Sequence, residues 1–271
     1  MRNSFIWLAI LLFINPLAVS AETLVLLQGY LGDGDYWRKT GITRMLMRSG
    51  WSDGGTLRPT WNGIQADRPV PPRTSRRFYT LALPTEAPLM LQLRNLEEYL
   101  EVIRGKYPDE SLILAGHSAG GVLGRLYMVQ NPDSRVDALI TFASPHLGTE
   151  SAELGSMAGN SPLGWFAPLI GGGTLNRSQG LYRDLARERP GNLLFWLNRQ
   201  EHPSSRYISI VRDDDGLLNL GDLLVPAWSQ DMNQVAALRG RAKKIVVPNG
   251  HGLDERDGAL LLQILRRLQT A

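Results

Sequence analysis

The sequence has no cysteine among its 271 residues. This absence excludes a disulfide-stabilised scaffold, a zinc site built on thiolates, a cysteine nucleophile and a lipid anchor on cysteine. Histidine is scarce, with only four residues, so an argument that needs a histidine has few candidates. The chain also lacks an excess of either charge. Lys+Arg 29 against Asp+Glu 26 gives a formal net charge of +3, and the cations lie in short scattered clusters, which excludes a nucleic-acid-binding surface.

Long hydrophobic runs are missing except at the start of the chain. A positively charged Met1-Arg2-Asn3 precedes an unbroken apolar run over residues 5–14, and Ala18-Val19-Ser20-Ala21 follows before polar Glu22. This pattern predicts a secretory signal peptide over residues 1–21, cleaved after Ala21. The alternative is an uncleaved anchor, but the run is shorter than the roughly 20 residues of a spanning helix. We therefore expect a mature chain of residues 22–271, soluble in the periplasm or the medium of a bacterium.

The mature chain alternates short apolar runs with segments of helical periodicity. The predicted strands cover residues 23–27, 78–83, 111–115, 136–142, 206–211 and 244–247, and helices are predicted at 35–48, 84–105, 122–129, 180–189, 192–199 and 253–268. Residues 50–75 are rich in Gly, Pro, Trp and Arg and are predicted to be a loop. The alternation predicts a single α/β domain whose mostly parallel central sheet carries helices on both faces.

One motif in this pattern indicates nucleophilic chemistry. Gly116-His117-Ser118-Ala119-Gly120 fits G-x-S-x-G, and it lies between a buried strand and a helix. A serine hydroxyl is a weak nucleophile unless a sharp turn presents it to a base, and such a turn leaves room only for glycine at the flanking positions. The helix N-terminus directs the Ala119 N–H at developing negative charge. The alternative is a tight glycine turn with an incidental serine.

This strand, motif and helix, together with Ser-Pro-His-Leu-Gly-Thr at residues 144–149, resemble the α/β-hydrolase superfamily and, within it, bacterial triacylglycerol lipases and related esterases. The resemblance implies a serine carboxylic ester hydrolase that forms an acyl-enzyme, with no cofactor and no metal. A hydrolase-fold binding protein without catalysis is the alternative from another class. A thioesterase, amidase or acyltransferase would use the same residues.

The resemblance also implies a base and an acid, in the chain order Ser, Asp or Glu, His. His251 fits the base, because it follows the last strand in Pro248-Asn249-Gly250-His251-Gly252 and the other histidines precede the acid candidates. Asp222 fits the acid, since Gly-Asp-Leu-Leu-Val-Pro resembles the family's G-D-G-x-V-P turn, although Leu223 replaces a glycine. The alternatives are Asp213, Asp214 and Asp215, which also suit a solvated turn or oxygen ligands for calcium.

Two further positions are predicted from the same resemblance. Gln28-Gly29-Tyr30-Leu31-Gly32 resembles the H-G-x-x-G loop, so the Tyr30 N–H is expected to complete an oxyanion hole with that of Ala119, and Gln28 replaces the usual histidine. His146 either lines the acyl pocket near Ser118 or is held by backbone hydrogen bonds in the loop after its strand.

The substrate class depends on residues 150–180, which are glycine-rich, nearly uncharged and contain Trp165 and Phe166. They are predicted to be an insertion, either a mobile lid over a lipid-facing site or a static cap. His146, Trp165 and Phe166 are the candidate substrate-binding residues. The expected partners are an acyl ester or lipid substrate and, transiently, a lipid interface, without nucleic acid or a protein partner.

Overall fold

The computed structural model describes residues 21–71, 74–149, 177–213, 222 and 224–270. The strands are β1 (Glu22–Leu27), β2 (Ser52–Thr60), β3 (Gly63–Ala66), β4 (Arg76–Leu81), β5 (Ser111–His117), β6 (Val136–Phe142), β7 (Arg206–Arg212) and β8 (Ala242–Val247). The helices are α1 (Tyr36–Lys39), α2 (Ile42–Arg48), α3 (Leu89–Lys106), α4 (Ala119–Gln130), α5 (Gln179–Asp184), α6 (Leu193–Leu197), α7 (Ala227–Gln230) and α8 (Glu255–Gln269). Residues 1–20 of the predicted signal peptide and residues 150–176 of the predicted cap lie outside the described residues.

The described strands form one sheet in the order β3-β2-β4-β1-β5-β6-β7-β8. Only β3 is antiparallel to its neighbour, and every other pair is parallel. Parallel neighbours need crossover connections, and helices α3 and α4 lie at such positions, between β4 and β5 and between β5 and β6. The predicted α/β architecture with a mostly parallel sheet is therefore confirmed.

Two apolar layers form the core, one on each face of the sheet. Alternate residues of a strand enter opposite layers, so Leu24 and Leu26 pack with α2 and α8, while Val25 and Leu27 pack with α3 and α4. All four side chains are fully buried. A strand that is apolar on both faces reads as a continuous hydrophobic run, which is why β1, β5 and β6 were predictable from sequence.

The loop prediction for residues 50–75 is wrong, because this segment contains β2 and β3. Strand β2 has an irregular register between Asp53 and Thr56, where Gly55 takes a φ of +85° that favours glycine. Asp53 accepts a hydrogen bond from the Gly55 N–H and forms an ion pair with Arg38, and these two interactions hold the bulge in place. Glycine and proline are depleted in strands, so a bulged strand rich in both has the composition of a loop.

The carboxyl ends of β1, β5, β7 and β8 lie along one edge of the sheet, and the predicted functional loops follow these four strands. In open parallel sheets, ligands bind outside this edge. No helix within the described ranges is long and apolar enough to cross a bilayer.

Candidate active site

Ser118 lies on a sharp turn between β5 and α4. Its φ of 52° and ψ of −128° are an uncommon backbone conformation for a residue with a side chain. A Cβ at Gly116 would lie 2.5 Å from the Gly121 Cα, and one at Gly120 would lie 2.6 Å from the Leu27 and Gln28 carbonyl oxygens. The flanking glycines therefore allow the turn to fold tightly against β1, as the motif predicted.

Three side chains from different loops form one hydrogen-bonded chain at this edge. The Ser118 Oγ lies 3.0 Å from the His251 Nε2, and the His251 Nδ1 lies 2.7 Å from the Asp222 Oδ2. Because a carboxylate only accepts, the Nδ1 carries the proton, which leaves the Nε2 free to accept from the serine hydroxyl. The His251 side chain is 17% exposed and that of Asp222 is completely buried. The order of groups is that of an activated hydroxyl, a base and an orienting acid.

The Asp222 carboxylate is held by N–H donors without a lysine or arginine bonded to it in the described part of the chain. Its Oδ1 accepts from the Leu224 and Val225 N–H groups at 2.9 and 3.0 Å, and its Oδ2 accepts from the Gln230 Nε2 at 3.1 Å. Of the alternative acids, only Asp213 is described, and its N–H donates to the Val247 carbonyl. The carboxylate that reaches His251 is that of Asp222.

His117 fixes the loop that carries His251. The His117 Nε2 donates to the backbone carbonyl of His251 at 2.8 Å, while its ring stacks on Tyr36 with centroids 5.2 Å apart. Burial, and then the neighbouring His251 and Arg212, lower the pKa of His117 well below its usual range. A neutral imidazole with its proton on Nε2 is the form that this bond needs, so His117 holds His251 in place through the main chain.

The loop after β1 approaches the serine closely. A Cβ at Gly29 would lie 2.7 Å from the Ser118 Cβ, so only glycine fits there. Neither the Tyr30 nor the Ala119 N–H has a hydrogen-bond acceptor among the described residues. Gln28, which stands where a histidine was expected, donates from its Nε2 to the Leu81 carbonyl at 2.7 Å and so ties the loop to the end of β4.

Of the candidate substrate-binding residues, only His146 belongs to the described part of the chain. His146 is completely buried, with its Nε2 3.1 Å from the Thr141 Oγ1 and its N–H donating to the Ser229 carbonyl. Burial lowers its pKa well below the usual range, and nearby Arg125 and His202 add to that shift. This is the backbone-held arrangement, one of the two positions that the sequence left open for His146. Trp165 and Phe166 lie outside the described residues.

Two supporting residues were not assigned a role from the sequence. Gln230 is buried, and besides its bond to Asp222 its Nε2 donates to the Val225 carbonyl at 2.6 Å and its Oε1 accepts from the Arg212 N–H at 2.7 Å. Tyr182 bonds its hydroxyl to that of Tyr30 at 2.6 Å. The run Trp228-Ser229-Gln230, which follows Asp222 closely in the sequence, was a visible signal for Gln230. No motif or residue spacing in the sequence indicated Tyr182.

Comparisons with known proteins agree with the fold described above. The model of the alpha/beta hydrolase fold matches residues 22–178, more than half of the chain. No curated protein matches the sequence. A solved structure of a Lactobacillus plantarum protein described as a cell surface hydrolase superposes with a TM-score of 0.57 at 17% identity, covering 92% of this chain and 90% of that one.

Two further structures carry enzyme names. The mature Bacillus licheniformis lipase BlEst2 gives a TM-score of 0.53 at 15% identity over 93% of both chains. A Pyrococcus furiosus esterase gives 0.56 at 13% identity, over 92% of this chain and 82% of that one. At such identities the likeness is one of fold. The family match, the sheet order and the position of Ser118 between β5 and α4 together show that this chain belongs to the alpha/beta hydrolase family.

Proposed function

We propose that the protein is a serine carboxylic ester hydrolase in which Ser118, His251 and Asp222 form the catalytic triad. The observation that carries this proposal is the unbroken hydrogen-bonded chain from the Ser118 Oγ through both ring nitrogens of His251 to the Asp222 carboxylate. His251 takes the hydroxyl proton as the Oγ attacks the ester carbonyl. Asp222 holds the imidazole in the reactive tautomer and stabilises the imidazolium, and water then releases the acyl group from Ser118.

The oxyanion of the tetrahedral intermediate is held by the Tyr30 and Ala119 N–H groups. Support comes from the lack of an acceptor for either group among the described residues and from the contact of Gly29 with Ser118. The Ala119 N–H also lies at the first turn of α4, where the partial positive charge of a helix favours an anion. Because both donors belong to the main chain, the exchange of histidine for Gln28 leaves this function intact.

Acyl esters, including lipids, are the proposed substrates, and residues 150–180 with Trp165 and Phe166 are the proposed cap over the acyl chain. A series of p-nitrophenyl esters from two to sixteen carbons, with and without a lipid interface, tests this part. We expect higher kcat/KM for the longer chains and activation at the interface. Equal rates on all chain lengths with no response to an interface would exclude a lid.

Export through a cleaved signal peptide of residues 1–21 is the proposed route to the periplasm or medium. Support comes from the charge and apolar pattern of that segment, and from β1 and the family match, which both begin at residue 22. Full-length protein expressed in a bacterial host should be recovered outside the cytoplasm with Glu22 as its N-terminus by mass spectrometry. An intact Met1 on cytoplasmic protein would contradict this.

The decisive test of the triad is Ser118→Ala, with Ser144→Ala as its matched control. Ser144 is a buried serine near the same turn, and its Oγ donates to the Phe142 carbonyl rather than to a base. We expect Ser118→Ala to lose at least about a thousandfold in kcat and all labelling by a fluorophosphonate, since a triad acts as a unit. Full activity in Ser118→Ala, or no labelling of the unmodified protein, would favour a binding protein without catalysis.

A further inference from the structure

A concave site lies at the opposite end of the sheet from Ser118. It is a surface cavity of about 350 Å³ at the start of β7 and β8, with the last turns of α8 as its other wall. Arg206 is the first residue of β7, whereas Asp222 and His251 follow the far ends of β7 and β8. The length of the strands therefore separates this cavity from the proposed catalytic site.

Four cationic side chains line the cavity, and no carboxylate does: Arg206, Arg241, Lys243 and Arg267. Within the described chain, Lys243 and Arg267 form no ion pair. Arg241 donates to the His202 and Pro203 carbonyls, and Arg206 donates to the Leu268 carbonyl. Carbonyl oxygens orient these guanidinium groups without neutralising them. Like charges around a concave surface concentrate a positive potential there, which attracts an anion.

Glu22 is an acid whose carboxyl interacts electrostatically with Arg206, but the two side chains form no ion pair within the described residues. Arg206 and Arg76 lower the pKa of the Glu22 carboxyl, but burial outweighs them and the pKa is raised. The Glu22 side chain accepts a hydrogen bond from Gln269 and is buried at the start of β1, outside the cavity lining.

Besides Ser205 and Tyr207, the rest of the cavity wall consists of apolar side chains from β7, β8 and α8: Ile208, Ile245, Ile264 and Leu268. Because alternate strand residues share a face, Lys243 and Ile245 both point to the α8 side of β8. Arg267 and Leu268 are adjacent at the end of α8, the first exposed and the second buried. The site thus places a cationic rim directly beside an apolar wall.

We propose that this cavity binds a small amphiphilic anion, a carboxylate or phosphate head on a single alkyl chain. The cationic rim takes the head, and the isoleucine and leucine side chains take the tail. The volume is at the lower end of the range for small-molecule pockets, so it suits one medium-length chain rather than a two-chain lipid. The site is distinct from the triad, and its occupancy does not depend on the proposed hydrolysis.

Isothermal titration calorimetry tests this proposal on full-length mature Ser118→Ala protein, in which ligand turnover is blocked. The probes are decanoate and decyl phosphate, each below its micelle concentration, with acetate, inorganic phosphate and decyl glucoside as comparisons. We expect the alkyl anions to bind at least about tenfold more tightly than their short counterparts and than the neutral glucoside. The tighter of decanoate and decyl phosphate identifies the head group. Equal affinity of short and long anions, or of the glucoside, would overturn the proposal.

Charge reversal locates the bound anion. Lys243→Glu and Arg267→Glu, made separately in the Ser118→Ala protein, should each weaken binding of the alkyl anions about tenfold or more at low salt, since neither side chain pairs with an acid in the described structure. Arg266→Glu is the matched control, because it is an exposed neighbour on α8 outside the cavity lining and makes the same change in net charge. Equal weakening by all three variants would indicate a general charge effect and would refute the site.

Both variants alter exposed side chains, so circular dichroism and the thermal midpoint should match those of the parent protein. When Lys243→Glu and Arg267→Glu are made in the protein that retains Ser118, they should leave hydrolysis of a short ester unchanged. Because binding is measured without turnover, a failed test of the triad leaves this result standing. Absence of binding here likewise leaves the triad unaffected.

Discussion

Two polar networks in this fold contain histidine, and they differ in exposure and in bonding. At the carboxyl edge of the sheet, His251 is partly exposed and both of its ring nitrogens have partners. In the second network, which we call the Arg125 cluster (Arg125, His146, Asn198 and His202), every side chain is buried. Within the described residues, one ring nitrogen of each of its histidines has no hydrogen-bond partner.

The charges of the two networks differ as well. The edge network contains a carboxylate bonded to N–H donors, whereas the Arg125 cluster contains a cation that donates to the His146 carbonyl and the Asn198 Oδ1. Burial lowers the pKa of Arg125 to about 9 and that of His202 to about 4. A histidine beside a buried cation is kept neutral, and one beside a buried carboxylate is suited to accept a proton. Both networks contain histidine, but only the histidine beside the carboxylate suits a general base.

The largest expected effect comes from removing the carboxylate of the edge network. Asp222→Asn should lower kcat by about 10³–10⁴-fold, because an amide N–H facing the His251 Nδ1 favours the wrong tautomer. Steady-state hydrolysis of a p-nitrophenyl ester measures this, and circular dichroism should show an unchanged fold. Asp213→Asn is the control and should retain the parent rate. Loss of activity in Asp213→Asn with a normal Asp222→Asn would move the acid to the aspartate cluster.

The neutral histidines of the Arg125 cluster predict a loss of stability in acid. A histidine with a depressed pKa is protonated in the unfolded chain before the folded one, so stability falls as pH drops below about 6.5, by up to about 1.4 kcal/mol per pH unit for each such group. For His202, whose pKa is about 4, the loss by pH 5 is about 2 kcal/mol.

His202→Asn tests this loss of stability directly. The His202 Nδ1 donates to the Gln200 carbonyl at 2.8 Å, and an asparagine amide can replace that donor without titrating. Urea unfolding at pH 7 and pH 5 should therefore show a smaller drop in the variant, by about 2 kcal/mol. The same drop in both proteins would show that His202 is not buried and neutral in solution.

The sequence predicted these networks unevenly, for physical reasons. Strand β5 and the turn at Ser118 were predictable, because a doubly buried strand and a crowded turn restrict residue type locally. The contact of His251 with Asp222 followed from chain order in a known family, and its catalytic role stays a proposal. The position of His146 was left open because burial depends on which segments pack over its loop. Strand β2 was missed because its bulge requires glycine, and glycine usually indicates a loop.

The smallest expected effect concerns Gln230. Its substitution tests a residue that positions the Asp222 carboxylate, whereas Asp222→Asn removes the carboxylate itself. Gln230→Met removes the N–H donated to the Asp222 Oδ2 and leaves that oxygen bonded to His251 alone. One hydrogen bond to a charged group is worth about 1.5 kcal/mol, so kcat should fall about tenfold with little change in KM.

The control for this variant is Gln263→Met, because Gln263 is exposed on α8 and its side chain forms no hydrogen bond within the described residues. A purely structural role would lower the thermal midpoint and leave kcat unchanged. A rate equal to that of Gln263→Met would show that the Leu224 and Val225 N–H groups alone hold the acid in place.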